Sequence, residues 1–109
     1  TQPSPGCLWS AHSVRPSITY LFYRYFSDAL KECPQEAVET RASLLNNRAG
    51  CYKQIQQDVD VIKDCTAALA MTKDKTKTFK ALLRRALSYE AVDKVKDAMA
   101  DYEQVSTAI

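Results

Sequence analysis

Hydrophobic residues recur along most of this chain at the spacing of amphipathic helices. Between residues 17 and 107 the apolar positions follow the i, i+3, i+4, i+7 pattern, with polar residues between them. The pattern predicts five helices, at residues 17–33, 35 or 39 to 54, 59–71, 78–92 and 94–107. The first segment is ambiguous on its own, because its opening run of residues 18–23 is rich in β-branched and aromatic side chains that also favour strands.

Few helix-breaking residues interrupt this pattern. The chain of 109 residues has two glycines and four prolines, and three of those prolines lie in the first 16 residues. Residues 1–16 show no hydrophobic period, so we expect them to be irregular or disordered. The remainder is predicted to be all-α, with a length that suits one small domain.

One stretch of the sequence occurs twice. Residues 44–52 read Leu-Leu-Asn-Asn-Arg-Ala-Gly-Cys-Tyr, and residues 81–89 read Ala-Leu-Leu-Arg-Arg-Ala-Leu-Ser-Tyr. A shift of 37 residues superimposes four identical pairs, namely Leu45 on Leu82, Arg48 on Arg85, Ala49 on Ala86 and Tyr52 on Tyr89. Self-similarity at a spacing of roughly 20–50 residues indicates stacked repeats. Because one helix pair has too little core to be stable alone, we expect two antiparallel pairs that stack on their neighbours.

The charged residues of the repeat favour structural roles. Arg48 and Arg85 each precede a small alanine, and we expect them to pair with Asp64 and Asp101 on the partner helices. The aspartates at i, i+4 spacing could also be paired acid–base carboxylates. An exposed acidic face is the favoured interpretation for all four of them, Asp60, Asp64, Asp97 and Asp101.

Composition argues against several classes of function. A net charge of +2 is too small to predict nucleic-acid binding. The most apolar run, residues 18–26, is nine residues long and contains Arg24, whereas a membrane-spanning helix needs about 20 apolar residues. No charged leader precedes an apolar core, so we expect no signal peptide and no membrane insertion.

The cysteines and the single histidine do not suggest a metal site. The four cysteines form no Cys-x-x-Cys pair, and His12 lies outside the repeats. We therefore expect reduced thiols in a cytoplasmic protein without a metal or another cofactor. The sequence also has no glycine-rich phosphate loop and no nucleophile paired with a base, so an enzyme is not expected.

The small and aromatic positions of the two copies resemble those of the tetratricopeptide-repeat family. The matching positions are Ala49, Tyr52, Val61, Cys65 and Ala68 in one copy and Ala86, Tyr89, Ala98, Tyr102 and Val105 in the next. The ending Phe26-Ser-Asp-Ala-Leu-Lys-Glu-Cys-Pro34 is similar to the second helix of an earlier, incomplete repeat. The resemblance implies a right-handed superhelix of about two and a half repeats, over residues 17–34, 42–73 and 79–109.

Within that family, the sequence most resembles the co-chaperone domains. Three segments are similar to those domains, namely Leu45-Asn-Asn-Arg-Ala49, Ile62-Lys-Asp-Cys-Thr66 and Lys80-Ala-Leu-Leu-Arg-Arg-Ala86. Such domains bind the acidic C-terminal tails of the seventy- and ninety-kilodalton heat-shock chaperones through five residues, known as a carboxylate clamp. The resemblance places Asn47, Lys80 and Arg84 at three clamp positions. The other two fall near Cys7 and Ala11, which are the wrong residue types.

The spacing of the three matching residues is compatible with this role. Lys80 and Arg84 are four residues apart and share one face of a helix, where a guanidinium and an ammonium can together hold a carboxylate. Lys53 and Gln54 could extend the same surface toward upstream peptide groups. On spacing alone, the more common interpretation of Lys80 and Arg84 is a solvated charged face.

Two functions remain open from the sequence. One is a co-chaperone adaptor that binds a chaperone tail through a partial clamp. The other is a structural scaffold that packs against a partner helix or self-associates through the open ends of its repeats.

Overall fold

The computed structural model describes residues 16–108, and the expectations for the preceding residues, Cys7 and Ala11 among them, lie outside this range. The described residues form five helices and no strand: α1 (Ile18–Glu32), α2 (Val38–Gln54), α3 (Asp58–Met71), α4 (Lys75–Ala91) and α5 (Val95–Ala108). The all-α prediction is confirmed, and the ambiguous run of residues 18–23 is helical. The Ser17 hydroxyl caps α1 by accepting a hydrogen bond from the backbone N–H of Tyr20, 3.1 Å away.

Helix α4 begins three residues earlier than predicted. The segment of residues 72–77 is polar and without a period, and it was expected to be a connection. The Asp74 carboxylate instead accepts a hydrogen bond from the backbone N–H of Lys77 at 3.0 Å, so it acts as the N-cap and the helix starts at Lys75. The capping residue, rather than the first apolar residue, determines where this helix starts.

The two helix pairs turn in the same way. After α2, Gln56 has φ of 59°, and after α4, Asp93 has φ of 62°. In each turn the next backbone N–H reaches back to a tyrosine carbonyl, from Gln57 to Tyr52 at 2.9 Å and from Lys94 to Tyr89 at 2.8 Å. This is the Schellman arrangement, in which a left-handed residue ends the helix and satisfies its last carbonyls.

The helices pack in chain order. Each contacts the next one, and α2 also contacts α4, so that the two helix pairs stack with α1 against α2. This arrangement is consistent with about two and a half tetratricopeptide repeats. The boundaries assigned to those repeats and the handedness of the superhelix stay predictions.

Small side chains occupy the closest contacts between helices. Ala49 and Ala86 are fully buried, as expected from their places in the repeat. Two clusters of buried residues form the core. One lies around Ala49 and consists of Ala49, Tyr52, Val61, Cys65 and Ala81. The other lies toward the start of α2 and consists of Leu30, Ala42, Leu45 and Ala68.

The exposed acidic face predicted for the aspartates is wrong for two of the four. Asp64 is 6% exposed and Asp101 is 2% exposed. Each is buried because an arginine of the preceding helix donates two hydrogen bonds to its carboxylate, from Arg48 and Arg85 respectively. The predicted pairing of arginine with aspartate is thus confirmed, and it explains the burial of the charge.

The apolar face predicted for α1 is only partly covered. Leu30 is buried, whereas Leu21, Phe22 and Tyr25 are each at least half exposed. Met99 on α5 is also more than half exposed.

Candidate functional site

A groove of about 450 Å³ lies where α1, α2 and α4 come together. Four of the five residues predicted for peptide binding line it, namely Asn47, Lys53, Gln54 and Arg84. Lys80, the fifth, lines an adjoining pocket of about 350 Å³ that lies beside the first turn of α4. Asn47 borders both spaces, so the structure places it between the groove and the pocket that contains Lys80.

Arg84 is held against α2. Its Nη1 donates a hydrogen bond to the backbone carbonyl of Asn46 at 2.7 Å. A Cβ atom at Gly50 would lie 3.4 Å from Arg84 Nη2 and 3.5 Å from Arg84 Cζ, which is close to van der Waals contact. The Arg84 guanidinium therefore packs directly over Gly50 of α2, and the same side chain lines the groove.

Arg84 and Lys80 have no carboxylate partner among the residues that the structure describes. The ion pairs there join Arg48 to Asp64, Lys53 to Asp58, Lys77 to Glu39 and Arg85 to Asp101. Arg84 is half-buried and Lys80 is exposed. The groove that contains Arg84 has no acidic residue in its lining, whereas the Asp74 carboxylate lines the same pocket as Lys80. An anion is therefore attracted mainly to the Arg84 side of Asn47.

Lys53 and Gln54 line the groove but already have partners within the chain. The Lys53 ammonium contacts the Asp58 carboxylate at 2.7 Å. The Gln54 side-chain oxygen accepts a hydrogen bond from the Thr19 hydroxyl at 2.6 Å. Neither residue carries an uncompensated charge, so their predicted role is limited to contacts that leave these bonds in place.

Sequence reasoning missed the apolar side of the groove. Phe22 and Phe26 of α1 line it, with their rings stacked at a centroid distance of 6.3 Å. Their spacing of four residues places them on one face of a helix, but nothing in the sequence indicated that this face would meet Arg84. Cys51 also lines the groove, and burial raises its thiol pKa, which the charge of Arg84 only partly opposes. A raised pKa favours the protonated thiol, which is the less nucleophilic form.

Other chemistry is not supported by the described part of the chain. Within residues 16–108, no group of three or more histidine, cysteine or acidic side chains is arranged to hold a metal ion. None of the helices in that range has both the length and the apolar character that crossing a membrane requires.

Comparisons with known proteins identify relatives of this chain. It is 45% identical over 67 residues to the mitochondrial import receptor subunit TOM34 of Rattus norvegicus, covering 62% of this chain and 21% of the relative. It is 32% identical over 80 residues to the import receptor subunit TOM70 of the same organism, covering 73% of this chain and 13% of the relative. Sperm-associated antigen 1A of Danio rerio is 33% identical over 90 residues, covering 73% of this chain and 20% of the relative.

The chain is a tetratricopeptide-repeat interaction domain. It is homologous to these three proteins, and its five helices agree with the repeat. The chain spans about a fifth or less of the length of each of these relatives. No protein-family model matches the chain, and no solved structure matches it significantly.

Proposed function

We propose that this tetratricopeptide-repeat domain is a co-chaperone adaptor that binds the acidic C-terminal tail of a heat-shock chaperone of the seventy- or ninety-kilodalton class. The main observation in support is that Lys80 and Arg84, the two cations beside Asn47, form no ion pair with a described residue, and that no acidic residue lines the groove of Arg84. The homology to import receptors and the resemblance to co-chaperone domains support the same conclusion. Because such chaperone tails are cytosolic, the domain would face the cytoplasm.

The terminal carboxylate of the peptide is expected to meet Arg84 and Asn47. Arg84 offers a planar guanidinium that is held in place by its hydrogen bond to the Asn46 carbonyl. A fixed guanidinium loses less side-chain freedom on binding and can donate two parallel hydrogen bonds to a carboxylate. The exposed Lys80 ammonium then lies where it can attract an acidic side chain one or two residues upstream.

The aromatic side of the groove adds a preference for an apolar residue near the end of the peptide. Phe22 is about half exposed, and both phenylalanine rings line the space that Arg84 also lines. An aliphatic side chain next to the carboxylate would cover this surface, and the burial of apolar area contributes about 25 cal/mol per Å². Acidic peptides with an apolar residue near the C-terminus should thus bind better than purely acidic ones.

Binding through this site alone should be weak. Each charge-assisted hydrogen bond contributes about 1.5–3 kcal/mol, whereas association itself costs at least about 4 kcal/mol. A dissociation constant near 10⁻⁴ M or poorer, about –5 kcal/mol, is therefore expected. Affinity should decrease as salt rises, because the charges are open to solvent and the screening length is about 8 Å at physiological ionic strength.

The decisive experiment is a titration with a short acidic peptide that ends in an aliphatic residue, with its carboxylate either free or amidated. The free peptide should bind, while Arg84→Ala should abolish detectable binding and Lys80→Ala should weaken it strongly. Lys96→Ala, an exposed charge on α5, is the matched control and should leave affinity unchanged. Equal affinities for the free and amidated peptides would show that the carboxylate is not recognised.

A scaffold that self-associates is the second candidate, and one observation favours it. The exposed apolar side chains Leu21 and Tyr25 lie on one face of α1, and Val95 and Met99 are exposed on α5. Exposed apolar surface on a helix face tends to be covered by another molecule. Concentration-dependent sedimentation that Tyr25→Lys abolishes would support a second copy as the occupant, whereas a strict monomer at high concentration would contradict it.

A further inference from the structure

A second pocket, of about 760 Å³, opens on another side of the α1–α2 pair. On α2 it is lined by Arg41 and Arg48, whereas Asn47 and Gln54 line the peptide groove. At about 100° per residue, the two sets of α2 side chains point in directions roughly 120° apart. The pocket is therefore separate from the site proposed above.

This pocket is cationic. Its lining includes Lys31, Arg41 and Arg48, and no aspartate or glutamate. Arg48 is neutralised by Asp64, and its Nη1 lies 3.3 Å from the Ser27 hydroxyl, which also lines the pocket. Lys31 is exposed and has no ion-pair partner among the described residues.

Arg41 is the central residue of this pocket. Its Nη1 donates to the backbone carbonyls of Leu30 at 3.1 Å and Cys33 at 3.0 Å, and so fixes the side chain at the C-terminal end of α1. Its Nε is buried and has no hydrogen-bond partner among the described residues. The guanidinium has no carboxylate partner there either, so it combines a fixed position with an unbalanced charge.

From this geometry we propose that the pocket lined by Lys31, Arg41 and Ser27 binds a phosphate monoester group. Two unbalanced cations match the charge of about –1.5 to –2 that such a group carries near neutral pH, and its three oxygens can accept from a guanidinium, an ammonium and a hydroxyl at once. A single carboxylate supplies one charge and two oxygens, and would leave one cation unbalanced.

The phosphate could belong to a phosphorylated side chain of a protein partner or to a small phosphorylated compound. Both sources present the same chemistry to Arg41 and Lys31, so the experiment has an arm for each. A phosphoserine peptide represents the first source and inorganic phosphate the second. An unphosphorylated serine peptide and a glutamate peptide of the same sequence serve as controls for contacts that do not involve phosphate.

The test follows backbone amide NMR signals of the whole chain during titration with inorganic phosphate and with each peptide, at matched ionic strength. Saturable shifts confined to the ends of α1 and α2 that face the pocket are expected, with a dissociation constant for inorganic phosphate on the order of 1 mM. Lys31→Glu should weaken phosphate binding about tenfold, as expected for one charge-assisted contact. The exposed Lys96→Glu and the groove variant Arg84→Ala should not change it.

The outcomes distinguish the two sources of the phosphate group and test whether the pocket binds phosphate. Tighter binding of the phosphoserine peptide than of inorganic phosphate assigns the site to a phosphorylated partner, and equal binding assigns it to a small phosphate compound. Arg41→Lys, which keeps the charge but loses the planar fork, should weaken binding in either case. Shifts that fail to saturate, that Lys31→Glu leaves unchanged, or that the glutamate peptide reproduces would overturn the proposal, whatever the result at the peptide groove.

Discussion

Arg48 and Asp64 form a two-point ion pair, in which Nε donates to Oδ2 at 2.7 Å and Nη2 donates to Oδ1 at 2.9 Å. Arg85 and Asp101 repeat the same geometry 37 residues later, with both distances at 2.7 Å. Each guanidinium also lies over a tyrosine ring of its own helix, at 5.7 Å from the Tyr52 centroid and at 5.6 Å in the second copy. The ion pair therefore forms part of the repeat itself.

Removing one partner of this pair should be costly. Arg48→Met leaves the Asp64 carboxylate buried without a countercharge, because only 8% of the Asp64 side chain is exposed. A loss of about 2–4 kcal/mol in the free energy of unfolding is expected, somewhat below that of a fully buried pair because the Arg48 side chain remains partly exposed. Urea denaturation measures the change, with the exposed Lys63→Met as the control. The double variant Arg48→Met with Asp64→Leu should recover part of the loss, and strictly additive losses would contradict the coupling.

Overpacking at the alanines of the repeat should separate the helices. Ala49 and Ala86 are 0% exposed. Replacing either one with leucine is expected to lower the free energy of unfolding by about 1–3 kcal/mol, because the added atoms have no space between the helices. Ala100→Leu, at an exposed position on α5, is the matched control and should change the denaturant midpoint little. Midpoints that stay unchanged at both buried positions would show that no close helix contact exists there.

The two left-handed turn residues offer a route to higher stability. Gln56 and Asp93 adopt φ near +60°, which costs a residue with a side chain about 1–2 kcal/mol. Glycine removes that strain but gains freedom in the unfolded chain, which offsets about 0.4–1 kcal/mol. Gln56→Gly should thus stabilise the domain by roughly 0.5–1 kcal/mol. Gln104→Gly, within the exposed face of α5, should instead destabilise it by about 1 kcal/mol; equal losses from both would refute the left-handed strain.

Acid should weaken the connection between the two helix pairs. The Glu39 carboxylate accepts hydrogen bonds from the Lys73 backbone at 2.9 Å, the Thr72 hydroxyl at 2.7 Å and the Lys77 ammonium at 3.2 Å. These bonds, led by the one from the Lys73 backbone, lower the Glu39 pKa from 4.5 to about 2. Because the folded pKa lies below the unfolded one, this contribution to stability is complete above pH 4.5 and is lost as the pH falls through about 2.

Comparing the wild type with Glu39→Gln tests whether stability falls with pH in this direction. The stability difference between them should be largest above pH 5 and should shrink as the pH approaches 2. Glu36→Gln, an exposed neighbour, is the control and should give a difference that changes less with pH. A constant difference between the wild type and Glu39→Gln over this range would show that the Glu39 bonds do not contribute to folding.

Much of the fold could be predicted from the sequence because the signals are local and repeated. Apolar spacing located four of the five helix starts to within one residue of their observed positions, once Glu39 is taken as the start of the second. The 37-residue repeat allowed both arginine–aspartate pairs to be predicted, because a pair in one copy has a counterpart at the same positions of the next copy. The missed start of α4 depended on Asp74, whose capping role is a matter of side-chain geometry rather than of periodicity.

The site was less accessible to prediction, because it depends on side chains that are far apart in sequence. Asn47 and Arg84 were placed by family resemblance, and the structure brings both to one groove. The aromatic side of that groove comes from Phe22 and Phe26, and only the packing of α1 on α2 brings these rings beside Arg84. The burial of Asp64 also escaped prediction, because the i, i+4 spacing of aspartates does not reveal which of them an arginine will cover.

Helix α3 takes part in both arginine networks. Arg48 reaches from Ser27 on α1 to Asp64 on α3, and Arg85 reaches from Thr66 on α3 to Asp101 on α5. If α3 frays, Arg48 loses Asp64 and Arg85 loses Thr66 at the same time, so opening of the first helix pair also removes a bond from the second. In a linear array whose units otherwise interact only with their neighbours, such a shared element raises the cooperativity of unfolding. Amide hydrogen exchange in α2 and α4 should accordingly proceed through a common opening event, with similar free energies in both helices.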